Sequence, residues 1–350
     1  MNTLKIFFVI ENLLSLMPSY HHPVTRFQKI ATCLVVTLNF VITMVSIKVT
    51  VDDPQYNFHK KVLFFLSDTN LLIVTCYTPL SVVFWNRDNW QKLIDNLKFI
   101  VSISNDCSKI SRYVQIAIAR LFLELVMVLL VCAYWTKVYG LHFVKYYSIH
   151  CFQYWLVYSY SIFVDVILYI LSLQYKCLNN TLSTSISTLC DNTLNKIEQN
   201  YCFLKEFVDI FNEVFQWITA LIICYTVLYM LHTLDFVVAN LLQLEYYMEM
   251  IVLVDVLLVV ITVIGTLVVI LWCDSILTEA GKLVRESYGL QRKCRLLPEA
   301  RFERFTKILQ QNFPSFSAAG FFEIKKSTCL GIINTVTTFF IVAVQFRTSE

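Results

Sequence analysis

Long runs of apolar residues divide the chain into seven segments that short polar stretches separate. A helix needs about 20 apolar residues to cross about 30 Å of hydrocarbon. Helix is the expected form, because an open strand leaves backbone polar groups unpaired in lipid. The pattern therefore predicts an all-α membrane protein with seven transmembrane helices. The predicted spans are Ile30–Thr50, Val62–Trp85, Val114–Trp135, Cys151–Leu173, Val214–Phe236, Met250–Trp272 and Ser327–Phe346.

Two further segments have apolar positions but are too short to span. Met1–Met17 is interrupted by Glu11 and is expected to form an amphipathic helix at the membrane surface. Pro298–Gln311 is expected to form a helix, because Pro298 suits a first turn and Glu299 suits the positive end of the helix dipole. Its short apolar face predicts a cytoplasmic helix that packs against another part of the assembly, such as a second subunit.

The distribution of basic residues predicts the orientation of the chain. With the amino terminus in the cytoplasm, 21 of the 28 Lys and Arg residues fall in inner segments and 5 in outer segments. Basic residues accumulate on the cytoplasmic side of membrane proteins. We therefore expect a cytoplasmic amino terminus and an extracellular carboxyl terminus, which is inverted relative to G-protein-coupled receptors.

Composition excludes several other classes. Apolar residues make up 57% of the chain and charged residues 15%, with a mean hydropathy of +0.62, which leaves too little charge for a soluble body. The net charge of +3 and the lack of long basic runs argue against nucleic acid as a partner. The 12 cysteines are scattered without CxxC or HxxxH spacing, and no catalytic motif occurs. We expect no enzyme activity, no metal and no cofactor.

Ionisable residues inside the spans are costly against lipid, so we expect each to face protein, a cavity or an interface. Arg120 and Glu124 lie four residues apart on one face of a helix and predict an intramembrane ion pair. That pair is either structural or part of coupling to a ligand. Asp68 and Asp165 have no obvious partner in the sequence. The remaining acidic residues in the spans are Asp235 and Asp255.

Aromatic residues gather in the outer halves of the fourth and fifth spans. Apolar walls with a few polar groups suit a small-molecule site, and packing of tyrosines at the headgroup level is the alternative. The candidate ligand-binding residues are Asp68, Tyr154, Trp155, Tyr158, Tyr229 and His232.

The last span has a polar stripe in which residues recur every three or four positions. Amide and hydroxyl groups with an apolar constriction suit a water-filled path, and hydrogen bonding between helices is the alternative. The stripe consists of Gly331, Asn334, Thr335, Thr338, Ile341, Val342 and Gln345, and Phe346 follows it.

The carboxyl-terminal sequence resembles that of insect gustatory receptors. Their hallmark is Thr-Tyr, five apolar residues and Gln-Phe, and here Thr338-Phe339 and Gln345-Phe346 enclose five apolar residues. The stretch from Ser317 to Ile324 resembles the small-x-Gly-Phe-Phe segment that precedes the motif in that family. The number of helices, the orientation and the length extend the resemblance to the whole chain.

The resemblance implies a ligand-gated, non-selective cation channel in the plasma membrane. It would act as a homotetramer, or as a heteromer with related receptors, and respond to a small tastant. The pore and gate would use Asn334, Thr338, Ile341, Val342, Gln345 and Phe346. Phe340 stands where sugar receptors of the family have Glu, which favours a bitter-type or orphan receptor. A metabotropic receptor and a secondary transporter are the alternatives.

The resemblance also divides the chain into four parts. Residues 1–29 form the cytoplasmic amino-terminal segment and residues 30–272 a six-helix ligand-binding bundle. Residues 273–326 form a cytoplasmic loop with an anchor helix. Residues 327–350 contain the pore-lining helix and a short extracellular tail.

Overall fold

A computed structural model describes residues 26–52, 58–103, 106–146, 148–184, 191–240, 246–293 and 298–348. The amphipathic helix predicted for Met1–Met17 lies outside these residues. Helices make up almost all of the described chain. They are α1 (Arg26–Asp52), α2 (Phe58–Leu80), α3 (Arg87–Ile103), α4 (Cys107–Tyr139), α5 (Leu141–Tyr146), α6 (Ser148–Thr184), α7 (Asp191–Asn240), α8 (Tyr246–Lys293), α9 (Glu299–Gln311) and α10 (Lys326–Thr348).

The predicted all-α membrane architecture is confirmed. Within the described residues, six helices (α1, α2, α4, α6, α7 and α8) are long and apolar enough to cross a membrane, and α10 contains a shorter apolar stretch. The second predicted span continues from α2 into a single π-helical turn, Ser81–Trp85. This turn follows Pro79, which cannot donate a backbone hydrogen bond.

Helices α7 and α8 are far longer than the spans predicted within them. At 50 and 48 residues they extend for about 70–75 Å, more than twice the thickness of the hydrocarbon. The start of α7 buries an apolar residue every three or four positions, as a packed helix pair does. These buried residues are Leu194, Ile197, Tyr201, Leu204 and Val208. The predicted inner loops are therefore largely helical.

Helix α6 is the central element of the bundle. Residues 159–168 are all buried, and α6 contacts every described helix from α1 to α8. A helix that is apolar on all sides is stable only when others surround it. Trp90 of α3 packs on Phe163 of α6 and Phe215 of α7, with ring centroids 6.0 and 5.2 Å apart.

Helix α9 confirms the helix predicted at Pro298–Gln311, and its apolar face packs on its own chain. Phe302, Phe305 and Leu309 are buried, and α9 contacts α7 and α8. Arg301 donates to Asp191 at 2.7 Å and Glu198 at 3.1 Å. Burial by itself would lower the pKa of the Arg301 guanidinium. The hydrogen bonds to Asp191 and Glu198 stabilise its charged form more strongly, so the pKa is raised.

A two-stranded hairpin connects α9 to α10. Strands β1 (Ser317–Ala318) and β2 (Phe322–Glu323) pair antiparallel, and Ala319 and Gly320 have φ values of 53° and 77°. Positive φ at both positions suits a tight hairpin turn. Asn212 of α7 donates to Ser315 O at 2.7 Å. This bond holds the start of the hairpin against α7, and the hairpin in turn leads into α10.

Candidate ligand site and pore helix

Helix α10 contacts the rest of the chain along one side only. Ile332 and Val336 are buried, and Val336 packs with Leu231 of α7 and Leu63 of α2. At the amino-terminal end of α10, the backbone N–H of Lys326 donates to the carboxylate of Asp274 at 3.0 Å. A carboxylate at this end satisfies a free N–H and complements the helix dipole.

The predicted pore residues lie outside that contact. Asn334, Thr338, Ile341, Val342 and Gln345 are all exposed in the single chain, and the side chain of Phe346 lies outside the described residues. At 3.6 residues per turn, the centre of the stripe lies roughly 140° around the helix from the buried side. This chain by itself therefore leaves Asn334, Thr338, Ile341 and Val342 exposed.

Three of the predicted ligand residues converge where α6, α7 and α8 meet. The ring centroids of Tyr154 and Tyr229 are 6.3 Å apart, and Tyr229 stacks on Tyr225 at 5.5 Å. The Tyr154 hydroxyl donates to Leu258 O at 3.2 Å. Tyr158 packs against Gly265, where a Cβ atom would lie 3.7 Å from the ring. We call Tyr154, Tyr158, Tyr225 and Tyr229 the tyrosine cluster.

The other predicted ligand residues have different neighbours. His232 contacts α2, with its ring centroid 4.2 Å from that of Phe64. Asp68 is buried, with its carboxylate 3.7 Å from Nδ1 of His150. Trp155 is half-buried, and its indole N–H has no acceptor among the described residues. The structure thus brings three of the six residues into one group.

The predicted Arg120–Glu124 ion pair is wrong. Nη1 of Arg120 donates to Oδ2 of Asp165 on α6 at 2.7 Å. The hydroxyl of Tyr113 donates to the other oxygen of Asp165, also at 2.7 Å, and itself accepts from the Trp272 indole at 3.3 Å. Spacing along one helix could not reveal this network, because Asp165 comes from a neighbouring helix.

Glu124 is left buried without a cation. Its side chain is 3% exposed, and Oε1 has no hydrogen-bond partner among the described residues. Glu124 lies beside the hydroxyl of Tyr154 and close to Tyr158. The carboxylate therefore lies within the tyrosine cluster, whose Tyr158 is also next to Arg120.

A buried amide cluster was missed by the sequence reasoning. Nε2 of Gln153 on α6 donates to Asn39 and Thr43 of α1 at 2.8 and 2.7 Å. Asn39 in turn donates to Thr75 of α2 at 2.9 Å. The signal in the sequence is one uncharged polar residue within each of three apolar spans, namely Asn39, Thr75 and Gln153. The cluster joins α1, α2 and α6.

Two further features bear on binding. A cavity of about 580 Å³ lies beside the start of α10, between α7 and the hairpin, and its lining includes Val227, Lys325 and Thr335. It does not include any member of the tyrosine cluster. Among the described residues, no group of three His, Cys, Asp or Glu side chains could hold a metal ion.

The chain belongs to the 7tm chemosensory receptor family, whose model matches residues 4–350. The resemblance of the carboxyl-terminal motif is therefore confirmed at the level of this family of multi-pass membrane receptors. No curated protein matches the chain in sequence.

Solved structures of an insect olfactory receptor, OR5 from Machilis hrabei, share the fold. The complex of that receptor with eugenol has a TM-score of 0.73 and 14% identity, and the match covers 99% of both chains. Another structure of OR5 has a TM-score of 0.73 and 13% identity, over 99% of this chain and 100% of that one.

Proposed function

We propose that this protein is a ligand-gated, non-selective cation channel of the plasma membrane that detects small tastants. Its amino terminus lies in the cytoplasm and its carboxyl terminus outside the cell. Four copies, identical or mixed with related receptors, assemble so that each contributes α10 to a shared path. The exposed polar stripe of α10 is the observation that carries this proposal.

The exposed stripe supports a pore because lipid cannot satisfy amide and hydroxyl groups. Ile332 and Val336 already use the side of α10 that faces its own chain. Water shared with other subunits would satisfy Asn334 and Thr338, while Ile341 and Val342 would narrow the path. Gln345 and Phe346 form the outer gate in this proposal.

A small tastant binds among Tyr154, Trp155, Tyr158 and Tyr229, with Asp68 and His232 at the edge of the site. It opens the gate because it binds the open state more tightly, since equal affinity for both states shifts nothing. The complex of OR5 from Machilis hrabei with eugenol supports a small-molecule ligand. Phe340 favours a bitter-type or orphan gustatory receptor over a sugar receptor.

Adjacent threonines on α10 provide a matched test of the pore. Thr337 and Thr338 are both exposed but lie about 100° apart around the helix. In voltage-clamped cells, Thr338→Val and Gln345→Ala should change unitary conductance or ion preference, whereas Thr337→Val should change neither. Unchanged currents in both stripe variants would show that α10 does not line the conduction path.

Epitope tags on intact cells test the orientation and the alternative functions. A carboxyl-terminal tag should bind antibody without permeabilisation, and an amino-terminal tag should not. An accessible amino terminus would instead favour a metabotropic receptor. A ligand-evoked current that persists when G-protein signalling is blocked would exclude that alternative, and a passive current without coupled uptake would exclude a transporter.

A further inference from the structure

We propose that the ligand of this receptor carries a protonated amine, and that the carboxylate of Glu124 binds it beside Tyr154 and Tyr158. The inference rests on the proposed function, because it names the chemistry of the ligand that opens the channel. It follows from the pairing of Arg120 with Asp165, which leaves Glu124 without a cation.

Among the described residues, no cationic side chain forms an ion pair with Glu124. Arg120, one turn away on α4, donates to Asp165 at 2.7 Å. The Tyr154 hydroxyl lies within hydrogen-bonding reach of the Glu124 carboxylate and also donates to Leu258 O at 3.2 Å, but it carries no positive charge. Glu124 is 3% exposed, and its Oε1 accepts no bond among the described residues. A buried carboxylate in this state is costly, so a positively charged donor is the group that the site lacks.

The surrounding charges favour a cation. Asp255 of α8 lies close to Tyr229, and Asp68 lies close to Tyr225. The cationic groups near these acids are Arg120, which Asp165 binds, and His150, which lies 3.7 Å from Asp68. Three acidic side chains, Glu124, Asp68 and Asp255, thus lie within or beside the tyrosine cluster, and a cationic ligand would complement them.

The aromatic side chains add a second attraction for the same ligand. The face of a tyrosine ring attracts an ammonium group, most strongly where water is excluded. Tyr158 is half-buried and the Arg120 side chain is 28% exposed, so the site lies close to the surface of the bundle. An amine that enters here would gain an ion pair with Glu124 and contact with the rings, whereas a neutral molecule of the same shape would gain only the apolar contact.

Two probes of matched size test the inference on the purified full-length chain in lipid nanodiscs. 2-Phenylethylamine is protonated at neutral pH, and 2-phenylethanol has a hydroxyl in place of the amine. Ligand-induced thermal stabilisation measures the affinity of each. The wild-type chain should prefer the amine by about tenfold or more, and Glu124→Gln should weaken amine binding by about 10- to 100-fold. The affinity for the alcohol should stay within about threefold of its wild-type value.

Two controls separate charge from folding. Glu213→Gln removes an exposed carboxylate from α7 and should leave both affinities unchanged. Glu124→Asp keeps the charge and should keep the preference for the amine, which a loss of folding would abolish. Equal amine affinity in wild type and Glu124→Gln would overturn the inference, as would a wild-type chain that does not bind the amine.

Current recordings distinguish this inference from the proposed function. Amine binding that depends on Glu124 but evokes no current would support the inference and contradict the channel. Currents evoked by 2-phenylethanol but not by the amine would contradict the inference and leave the channel intact.

Discussion

A double-mutant cycle on Arg120 and Asp165 tests the network that joins α4 to α6. Their charged atoms are 2.7 Å apart, and the side chain of Asp165 is only 2% exposed. Two unit charges about 4 Å apart attract by about 4 kcal/mol at an effective dielectric constant near 20. Because Arg120 is 28% exposed, solvent screens part of this attraction. We therefore expect a coupling energy of about 2–3 kcal/mol.

Each single variant should lower the free energy of unfolding by at least as much as the coupling energy, because it leaves the other charge without its partner. Arg120→Gln leaves the Asp165 carboxylate buried without a cation, although Tyr113 still donates to it, so we expect a loss of about 3 kcal/mol in the free energy of unfolding. Asp165→Asn should cost a similar amount, because the Arg120 guanidinium then lacks its carboxylate. The double variant should lose less than the sum of the two. Unfolding of the detergent-solubilised chain by sodium dodecyl sulfate, followed by far-UV circular dichroism, measures each value.

A second cycle gives the result that would refute this reasoning. Arg120 and Glu124 are neighbours on α4 but do not form an ion pair, so their coupling should stay below about 0.5 kcal/mol. A coupling between Arg120 and Glu124 as large as that between Arg120 and Asp165 would show that the pair predicted from helical spacing forms instead. The assignment of Glu124 to the tyrosine cluster would then fail as well.

Three further predictions concern helical segments that lie beyond the predicted spans. Phe305 is 0% exposed, so Phe305→Ala should lower the free energy of unfolding by about 3–5 kcal/mol in the same unfolding assay. Arg301→Gln removes the bonds to Asp191 and Glu198 and should loosen α9 by about 1–2 kcal/mol, seen as faster amide exchange confined to α9. The residues Asn179-Asn180-Thr181 form an N-glycosylation sequon, but Asn179 is 1% exposed and donates to Glu279, so mass spectrometry should find it unmodified.

The seven spans could be predicted from local sequence because each depends on the cost of exposing backbone polar groups to lipid. The helix at Pro298–Gln311 was also predictable, since the proline and the periodicity of Phe302, Phe305 and Leu309 act within one element. The length of α7 was not predicted. At its start, one residue in every three or four is buried and the others are more exposed. The segment packs as a helix because neighbouring helices cover Leu194 and Tyr201.

Contacts between helices decided the rest. Helical spacing placed Glu124 beside Arg120, but a guanidinium binds the carboxylate that it can reach with the best geometry, and the packing of α4 on α6 brings Asp165 to it. The packing of α7 on α6 brings Tyr154 and Tyr229 together, and the packing of α7 on α2 places His232 beside Phe64. The sequence by itself thus determined the membrane helices, because hydrophobicity and backbone hydrogen bonding are local. Only the tertiary structure decided which polar groups meet, because those distances depend on how separate helices pack.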